Sequence, residues 1–361
     1  MSGAAENLAP PERELLAAAR RGDEGAFRDL VEPRRPELHA HCYRMLGSVH
    51  DAEDALQEVL LRAWRGLSGF EGRSSFRSWL YRIATNISLN VIAKRPKRVL
   101  PIDYGPAADP HDSPGEPLVE SVWVEPYPDE KVGLEQGLAA PEAAYEQRES
   151  VELAFVAALQ HLPANQRAAL ILREVLGFSA REVAESLETT TAAVNSALQR
   201  ARQTVDEKLP AQSQQATLRD VGDEHLREIV ERYTEALQQG DVDSMVAMLT
   251  EDAAWSMPPL PGWYRGHEAV AAFLTDYPMR ERWRHVPTRA NGQLAVGCYM
   301  WNEKRESYVA AVLDVLTLRG TRIAEVTGFL SPWVFRRFGE ATGSMTPEAF
   351  RRFGLPDELP G

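Results

Sequence analysis

Asn195, Ser196, Gln199, Arg200 and Arg202 share the polar face of one stretch, and their side chains carry the donors and acceptors that read base edges. Asn and Gln can pair bidentately with adenine, and Arg can serve guanine or phosphate. The stretch runs from Ser179 to Arg202, SAREVAESLETTTAAVNSALQRAR. Ser179 and Glu182 have the S-x-x-E spacing of a capping box, which starts a short helix with Val183, Ala184 and Leu187 on its buried stripe. Glu188, Thr189 and Thr190 interrupt it, and Thr191 can cap the next helix. There Val194, Ala197, Leu198, Ala201 and Val205 follow helical spacing and form the core face. Two helices around a polar turn, with arginines outside, suit a helix laid in the DNA major groove. An ordinary helical hairpin in a bundle has the same pattern.

A second group lies upstream. The loop Ser68–Ser75, SGFEGRSS, leads into FRSWLYRIATNISLNVIAKRPKR. Phe76, Trp79, Leu80, Ile83 and Ile87 are spaced as a buried stripe, and Arg77 and Arg82 add positive charge. Aromatics interleaved with arginines beside a flexible loop suit the capture of a single strand with unstacked bases. The spacing of Phe76 and Trp79 favours a core role for those two. Before the loop, DAEDALQEVLLRAWRGL is a helix for which Asp51 is a good cap. Its leading edge, Asp51, Glu53, Asp54, Gln57 and Glu58, is acidic, which the helix dipole alone would favour.

The chain has 361 residues, enough for two or three domains, and a net charge of −13. That charge is unevenly spread. Residues 11–98 carry 16 Lys/Arg against 12 Asp/Glu, whereas residues 99–149 carry 2 against 12. A weakly charged helix-turn-helix has modest affinity for DNA, because phosphate neutralisation supplies much of the binding, so a partner is needed to hold it there. Cys42 and Cys298 are far apart in sequence and imply no disulfide framework, which suits a reducing cytoplasm. No run is long enough to span a bilayer, and no metal-ligand cluster, nucleophile motif or phosphate loop occurs.

DAEDALQEV followed by FRSWLYRIATN resembles region 2 of the extracytoplasmic-function (group IV) sigma factors of bacterial RNA polymerase. LPANQRAALILREVLGFSAREVAESLETTTAAVNSALQRAR resembles their region 4. The resemblance implies core RNA polymerase and promoter DNA as partners. Asp51, Glu53, Asp54, Gln57 and Glu58 are then expected to face the β′ clamp. Phe70, Arg73, Ser74, Ser75, Arg77, Trp79, Arg82 and Asn86 are expected to recognise and open the −10 element. Thr190, Thr191, Asn195, Ser196, Gln199, Arg200 and Arg202 are expected to read the −35 element, with Arg173 available to the β flap or DNA backbone. Many members carry a basic residue and an arginine where this chain has Asn195 and Ala197, which weakens phosphate contacts.

Residues 99–140 are rich in Pro, Asp and Glu, a composition that cannot bury enough surface to fold alone. By composition they are a spacer; the resemblance implies a linker that threads the polymerase cleft, its negative charge mimicking RNA. Helices resume at Pro141-Glu142. Ala168, Leu172, Val175 and Leu176 mark the support helix of the helix-turn-helix.

AQSQQAT reads as a short linker after Pro210. A helix follows over Val221–Gln239, with Ile229, Tyr233, Ala236 and Leu237 on its stripe, then a second over Val242–Leu249 and a third after WSMPPLPGWYRG. Three strands end the domain: LAVGCYMW, SYVAAVLDVLTL and RIAEVTGFL. Helices before an antiparallel sheet mean α+β. GDVDSMVAMLTEDAAW and PGWYRGHEAVAAFL resemble the SnoaL-like branch of the NTF2-like cone fold. Trp255, Trp263, Tyr264, Trp283 and Trp301 are candidates to line a cone pocket for a small apolar ligand, although core or docking roles suit them equally. Asp252, Asp314 and Glu325 are possible acids, but no acid/base pair with His225, His267 or His285 can be assigned.

The expected architecture is multidomain: region 2 (11–98), an acidic linker (99–140), region 4 (141–210), a SnoaL-like domain (218–340) and a C-terminal tail (341–361). The first two domains are all-α and the cone is α+β. The expected function is that of a cytoplasmic, non-enzymatic sigma factor near the sigma-G-like branch, without cofactor or metal, whose cone regulates it in cis. The alternative is a stand-alone helix-turn-helix regulator with a ligand-sensing cone.

Overall fold

The computed structural model describes residues 10–118, 122–132, 148–337 and 345–361. The helix start expected at Pro141-Glu142 lies outside them. The described residues form two compact units: those within 1–97, 131–136 and 158–208 make one, and those within 98–130, 137–157 and 209–361 make the other.

The first unit is helical. Its elements are α1 (Pro10–Arg20), α2 (Glu24–Val31), α3 (Arg35–Leu46), α4 (Val49–Gly66), α5 (Phe76–Ile92), the end of α6 (Leu153–Gln160), α7 (Ala164–Leu170), α8 (Ala180–Ser186) and α9 (Thr191–Lys208). Helix α4 begins earlier than its sequence suggests. Ser48 is the N-cap and accepts from the Asp51 backbone N–H at 3.1 Å, so Asp51 lies inside the first turn. Helix α5 starts at Ser75, whose hydroxyl accepts from Ser78 N at 3.0 Å. After α7 the chain makes a π-helical turn, Ile171–Val175. The wider turn rotates Val175 and Leu176 off the stripe, so they are only half-buried while Ala168 and Leu172 are buried.

The second unit is built on a seven-stranded sheet. Its strands are β1 (Leu249–Ser256), β2 (Trp263–Arg265), β3 (Trp283–Ala290), β4 (Gln293–Asn302), β5 (Ser307–Arg319), β6 (Arg322–Leu330) and β7 (Glu358–Pro360). The order is β2-β1-β6-β5-β4-β3, with β7 also on β5 and only the β1–β6 pair parallel. Strand β3, WRHVPTRA, shows no apolar run and holds Pro287, which an edge strand tolerates. Helices α10 (Gln214–Val221), α11 (Asp223–Gln239), α12 (Val242–Ala247) and α13 (Gly266–Asp276) accompany the sheet. Tyr233, Trp255, Tyr264, Phe273, Met300 and Leu316 belong to one core.

Nearly every residue of β4 and β5 is buried, which requires both sheet faces to be covered. Part of the cover comes from the tail. The short helix α14 (Pro347–Arg351) brings Phe350 against Tyr299, and Leu355 fills the space left by Gly297, where a Cβ would stand 2.6 Å from it.

The AQSQQAT segment is no free linker. Ser213 caps α10, and Gln214, Gln215 and Thr217 are buried. Gln214 accepts from Leu318 N at 2.7 Å and donates to Leu318 O at 2.9 Å, so its amide extends the backbone ladder of β5. A side chain that reads as polar spacer is consumed by peptide groups that would otherwise be unpaired.

Candidate nucleic-acid interface

The helix-turn-helix is assembled as its sequence implies. Both halves of the Ser179/Glu182 capping box are present. The turn is closed by Thr189 N donating to Ala184 O at 2.9 Å, with Glu188 in the left-handed region at φ 52°. The cap of α9 is Thr190, one residue before the expected Thr191; its hydroxyl accepts from Ala193 N at 3.2 Å. Val194, Leu198, Ala201 and Val205 are buried and Ala197 is half-buried. Thr190, Thr191, Asn195, Ser196, Gln199, Arg200 and Arg202 are all exposed. Arg202 pairs with Glu174 at 2.5 Å, which orients it beside the support helix.

The second set divides. Phe70 and Trp79, 6 % and 8 % exposed, are core residues: their rings stand 5.0 Å apart, and each packs on Phe76. Both were expected at the −10 strand and are unavailable to stack on a base in this conformation. Arg73 and Arg82 are exposed, and Ser74, Ser75, Arg77 and Asn86 are half-buried. Arg73 pairs with Glu71 at 2.5 Å.

The acidic set divides as well. Asp51 is buried, its carboxylate bound to Arg95, so it braces α4 against the end of α5 rather than facing a partner. Asp54 and Gln57 are exposed; Glu53 and Glu58 are half-buried, and Glu58 pairs with Arg62 at 2.5 Å.

The five aromatic residues proposed for a cone pocket do not converge. Trp255 and Tyr264 lie in the core, each against Phe273. Trp263 donates its indole N–H to Gly105 O at 2.9 Å, and Trp283 donates to Pro278 O at 2.7 Å while stacking on His285. Trp301 packs on Tyr308 with Arg282 over its ring. A cavity of about 560 Å³ in this domain is lined by other residues, among them Leu226, Val230, Pro287 and Leu294. Inside the domain, Asp314 accepts from the Tyr233 hydroxyl at 2.8 Å and the Cys298 thiol at 3.2 Å, and burial pushes its pKa up to about 6. His285, half-buried in β3, falls to about 4 because desolvation disfavours its charged form. Among the described residues no cluster suited to a metal is found, and no helix is long and apolar enough to cross a membrane.

The acidic segment has a structural role that its composition hides. Ala108 N donates to Trp263 O, Leu118 N to Pro259 O and the Tyr264 hydroxyl to Asp112 O, at 2.8, 2.9 and 2.6 Å. Gly262 N donates to Pro114 O, and a Cβ on Gly262 would lie 2.6 Å from that oxygen, so only glycine allows the approach. Trp123, Val124 and Tyr127 are buried. The described residues of this segment up to Glu130 therefore pack as part of the sheet domain.

The turn between β3 and β4, Asn291-Gly292-Gln293, holds both sides of residues 133–147. On one side Asn291 Oδ1 accepts from Tyr127 N, Asn291 N donates to Tyr127 O, and Gly292 N donates to the Asp129 carboxylate, at 2.8, 2.8 and 2.7 Å. On the other side Asn291 Nδ2 donates to Val151 O and Gln293 Oε1 accepts from Leu153 N, at 2.7 and 2.9 Å. Glu152 completes this clasp by accepting from Gln214 N and Gln215 N, and burial moves its pKa up to about 7. Asn291 and Gly292 both take positive φ, which an Asn-Gly hairpin turn requires.

Comparison with known proteins gives three family matches along the chain. Residues 30–98 match the family model Sigma-70 region 2, residues 152–205 match Sigma-70, region 4, and residues 230–326 match the SnoaL-like domain. The chain is 42% identical to ECF RNA polymerase sigma factor SigG of Mycobacterium tuberculosis over 90% of its own length and 85% of that relative. It is 29% identical to ECF RNA polymerase sigma-E factor of Escherichia coli over 54% of its length and 92% of that protein. Among solved structures, the Mycobacterium tuberculosis extracytoplasmic function sigma factor SigJ shares the fold, with TM-score 0.50 at 22% identity over 85% of this chain and 97% of that one. Helical regions 2 and 4, an α+β SnoaL-like sheet domain and the match along most of the chain lead to one conclusion: this protein belongs to the extracytoplasmic-function sigma factors, the non-catalytic subunits that direct RNA polymerase to promoters.

Proposed function

We propose that the SnoaL-like domain regulates this sigma factor in cis by gripping the linker between regions 2 and 4. The observation that carries the reading is the Asn291-Gly292-Gln293 clasp, which bonds to Tyr127 and Asp129 in the linker and to Val151 and Leu153 at the start of region 4. A linker tied to the same turn as the start of region 4 cannot extend into a polymerase cleft until the clasp lets go. Each buried amide bond contributes on the order of 1 kcal/mol, so the clasp as a whole is strong enough to bias activity and weak enough for polymerase to open. In this reading the exposed face of α9 reads the −35 element. Arg73, Ser74, Ser75, Arg77, Arg82 and Asn86 serve the −10 strand, and Glu53, Asp54, Gln57 and Glu58 meet the β′ clamp.

Multi-round transcription with core polymerase tests it, on a template carrying a promoter the holoenzyme uses. Asn291→Ala combined with Gln293→Ala is expected to raise output severalfold over the unaltered chain at limiting polymerase. Unchanged or lower output, with the variant folded, would overturn the reading.

A further inference from the structure

The cavity beside α11 gathers charge as well as apolar surface. From the helix it takes Asp223, Leu226, Arg227, Val230 and Glu231, at i, i+3, i+4, i+7 and i+8, which is one helical face. The opposite wall is β3. Pro287 and Arg289 stand in register with Val296 and Leu294 of β4. Those two belong to the core, so the two-residue repeat of a strand puts Pro287 and Arg289 on the side of the sheet that α11 covers. The Thr288 hydroxyl turns the other way and donates to Phe353 O at 2.7 Å. Leu226, Val230 and Leu294 are buried and give the cavity an apolar floor.

The two walls carry opposite signs. On α11 two acids, Asp223 and Glu231, lie one turn either side of Arg227, whose Nε donates to Asp223 O at 3.2 Å. The helix wall is therefore net negative, and β3 answers it with Arg289. A volume of about 560 Å³ is in the range that holds a small organic ligand. A ligand that satisfies both walls needs a cation at one end, a carboxylate at the other and an apolar body between them. In a free amino acid both charges sit on one carbon, whereas two extended residues hold them about 7 Å apart, as facing walls require.

We propose that this cavity binds a short apolar peptide with free termini. Its ammonium group lies at Asp223 and Glu231, its carboxylate at Arg289 and its side chains on Leu226, Val230 and Leu294. Arginine suits that place because its planar fork matches a carboxylate bidentately. Arg289 also serves the clasp. Burial pushes the Asp129 carboxyl above its ordinary range, and the Gly292 N–H, Arg289 and Arg148 oppose that shift. A peptide carboxylate at Arg289 shares its charge with Asp129 and loosens the bond that Gly292 N donates. Binding is independent of the linker reading above; only the effect on the clasp deepens that reading.

The test titrates the full chain calorimetrically with leucyl-leucine, N-acetyl-leucyl-leucine and leucyl-leucine amide, without polymerase or DNA. The free dipeptide is expected to bind saturably and each blocked form about tenfold more weakly, through loss of one charge-assisted bond. Arg289→Gln is expected to bring the free dipeptide down to the affinity of its amide while leaving the amide unaffected. Glu231→Gln is expected to narrow the gap to the N-acetyl form. Absence of saturable binding by any probe, or equal affinity for all three, would overturn the site. N-acetyl-leucyl-leucine binding as tightly as the free dipeptide would overturn the place given to the ammonium group. Hydrogen exchange at Gly292 reads the link to the clasp, and saturating leucyl-leucine is expected to speed it severalfold. Unchanged exchange would overturn that link without touching the transcription test of the clasp.

Discussion

Helices α9 and α5 both carry side chains suited to DNA, yet they present them in different ways. In α9 the apolar stripe and the polar face are cleanly separated, so every assigned DNA contact from Asn195 to Arg202 is exposed. In α5 and the loop before it, aromatic and cationic residues alternate. Trp79 and Phe70 turn inward to Phe76, Arg77 is stacked on Tyr81 and Phe178, and only Arg73 and Arg82 are fully outside. A helix that docks into a groove needs a preformed polar surface. In α5 and its loop most of the aromatic and cationic side chains are instead engaged within the fold.

That contrast can be broken by substitution. The largest effect is expected at Trp79→Ala, which removes a packed ring from region 2 and is expected to cost about 3–5 kcal/mol of stability. Arg82→Ala on the same helix is expected to change stability by less than about 0.5 kcal/mol. Denaturant unfolding of both variants decides it, and a mild Trp79→Ala would return that ring to the DNA surface.

The sheet domain sharpens the same distinction between buried and exposed polar groups. Asp314 lies in the core with its folded pKa near 6, above its ordinary value of 3.8, because burial disfavours the charge. An acid raised in this way contributes stability that is fully present below the unfolded value and is lost as pH rises through the folded one. Up to about 3 kcal/mol is expected to disappear between about pH 4 and about pH 7. Asp314→Asn is expected to remove this share of the slope, leaving the same-sign contribution of Glu152, whose pKa burial raises from 4.5 to about 7. Parallel pH profiles for the two proteins would contradict the assignment.

The smallest effects are expected on the exposed face of α9. Gln199→Ala is expected to weaken binding to a −35 duplex by about 1–3 kcal/mol and relax preference at one base pair, with stability nearly unchanged. Duplex titrations at fixed salt read this directly. A uniform loss across sequences would assign Gln199 to the backbone instead.

What the sequence made legible follows the same physics. The helix-turn-helix could be read almost residue by residue, because Ser179, Glu182 and the Val194–Val205 stripe each satisfy a local rule. Its cap moved by one residue to Thr190, since either of two adjacent threonines can accept that bond. Asp51 was misjudged because acid in a first helical turn looks the same whether it faces solvent or, as here, Arg95 forty-four positions later. Strand β3 was missed because an edge strand with Pro287 and charges has no strong alternation. The clasp was least visible. Asn291-Gly292 signals a hairpin, but the bonds from Asn291 and Gln293 reach Tyr127, Val151 and Leu153, partners that sequence proximity cannot disclose.

The central claim, that the sheet domain holds the linker until polymerase takes it, is tested most directly by backbone hydrogen exchange at Tyr127 and Leu153. Their N–H groups are bonded to Asn291 and Gln293 in the free chain, so slow exchange is expected there and fast exchange once core polymerase is bound. Equal protection of both amides in the free protein and in the holoenzyme would contradict it.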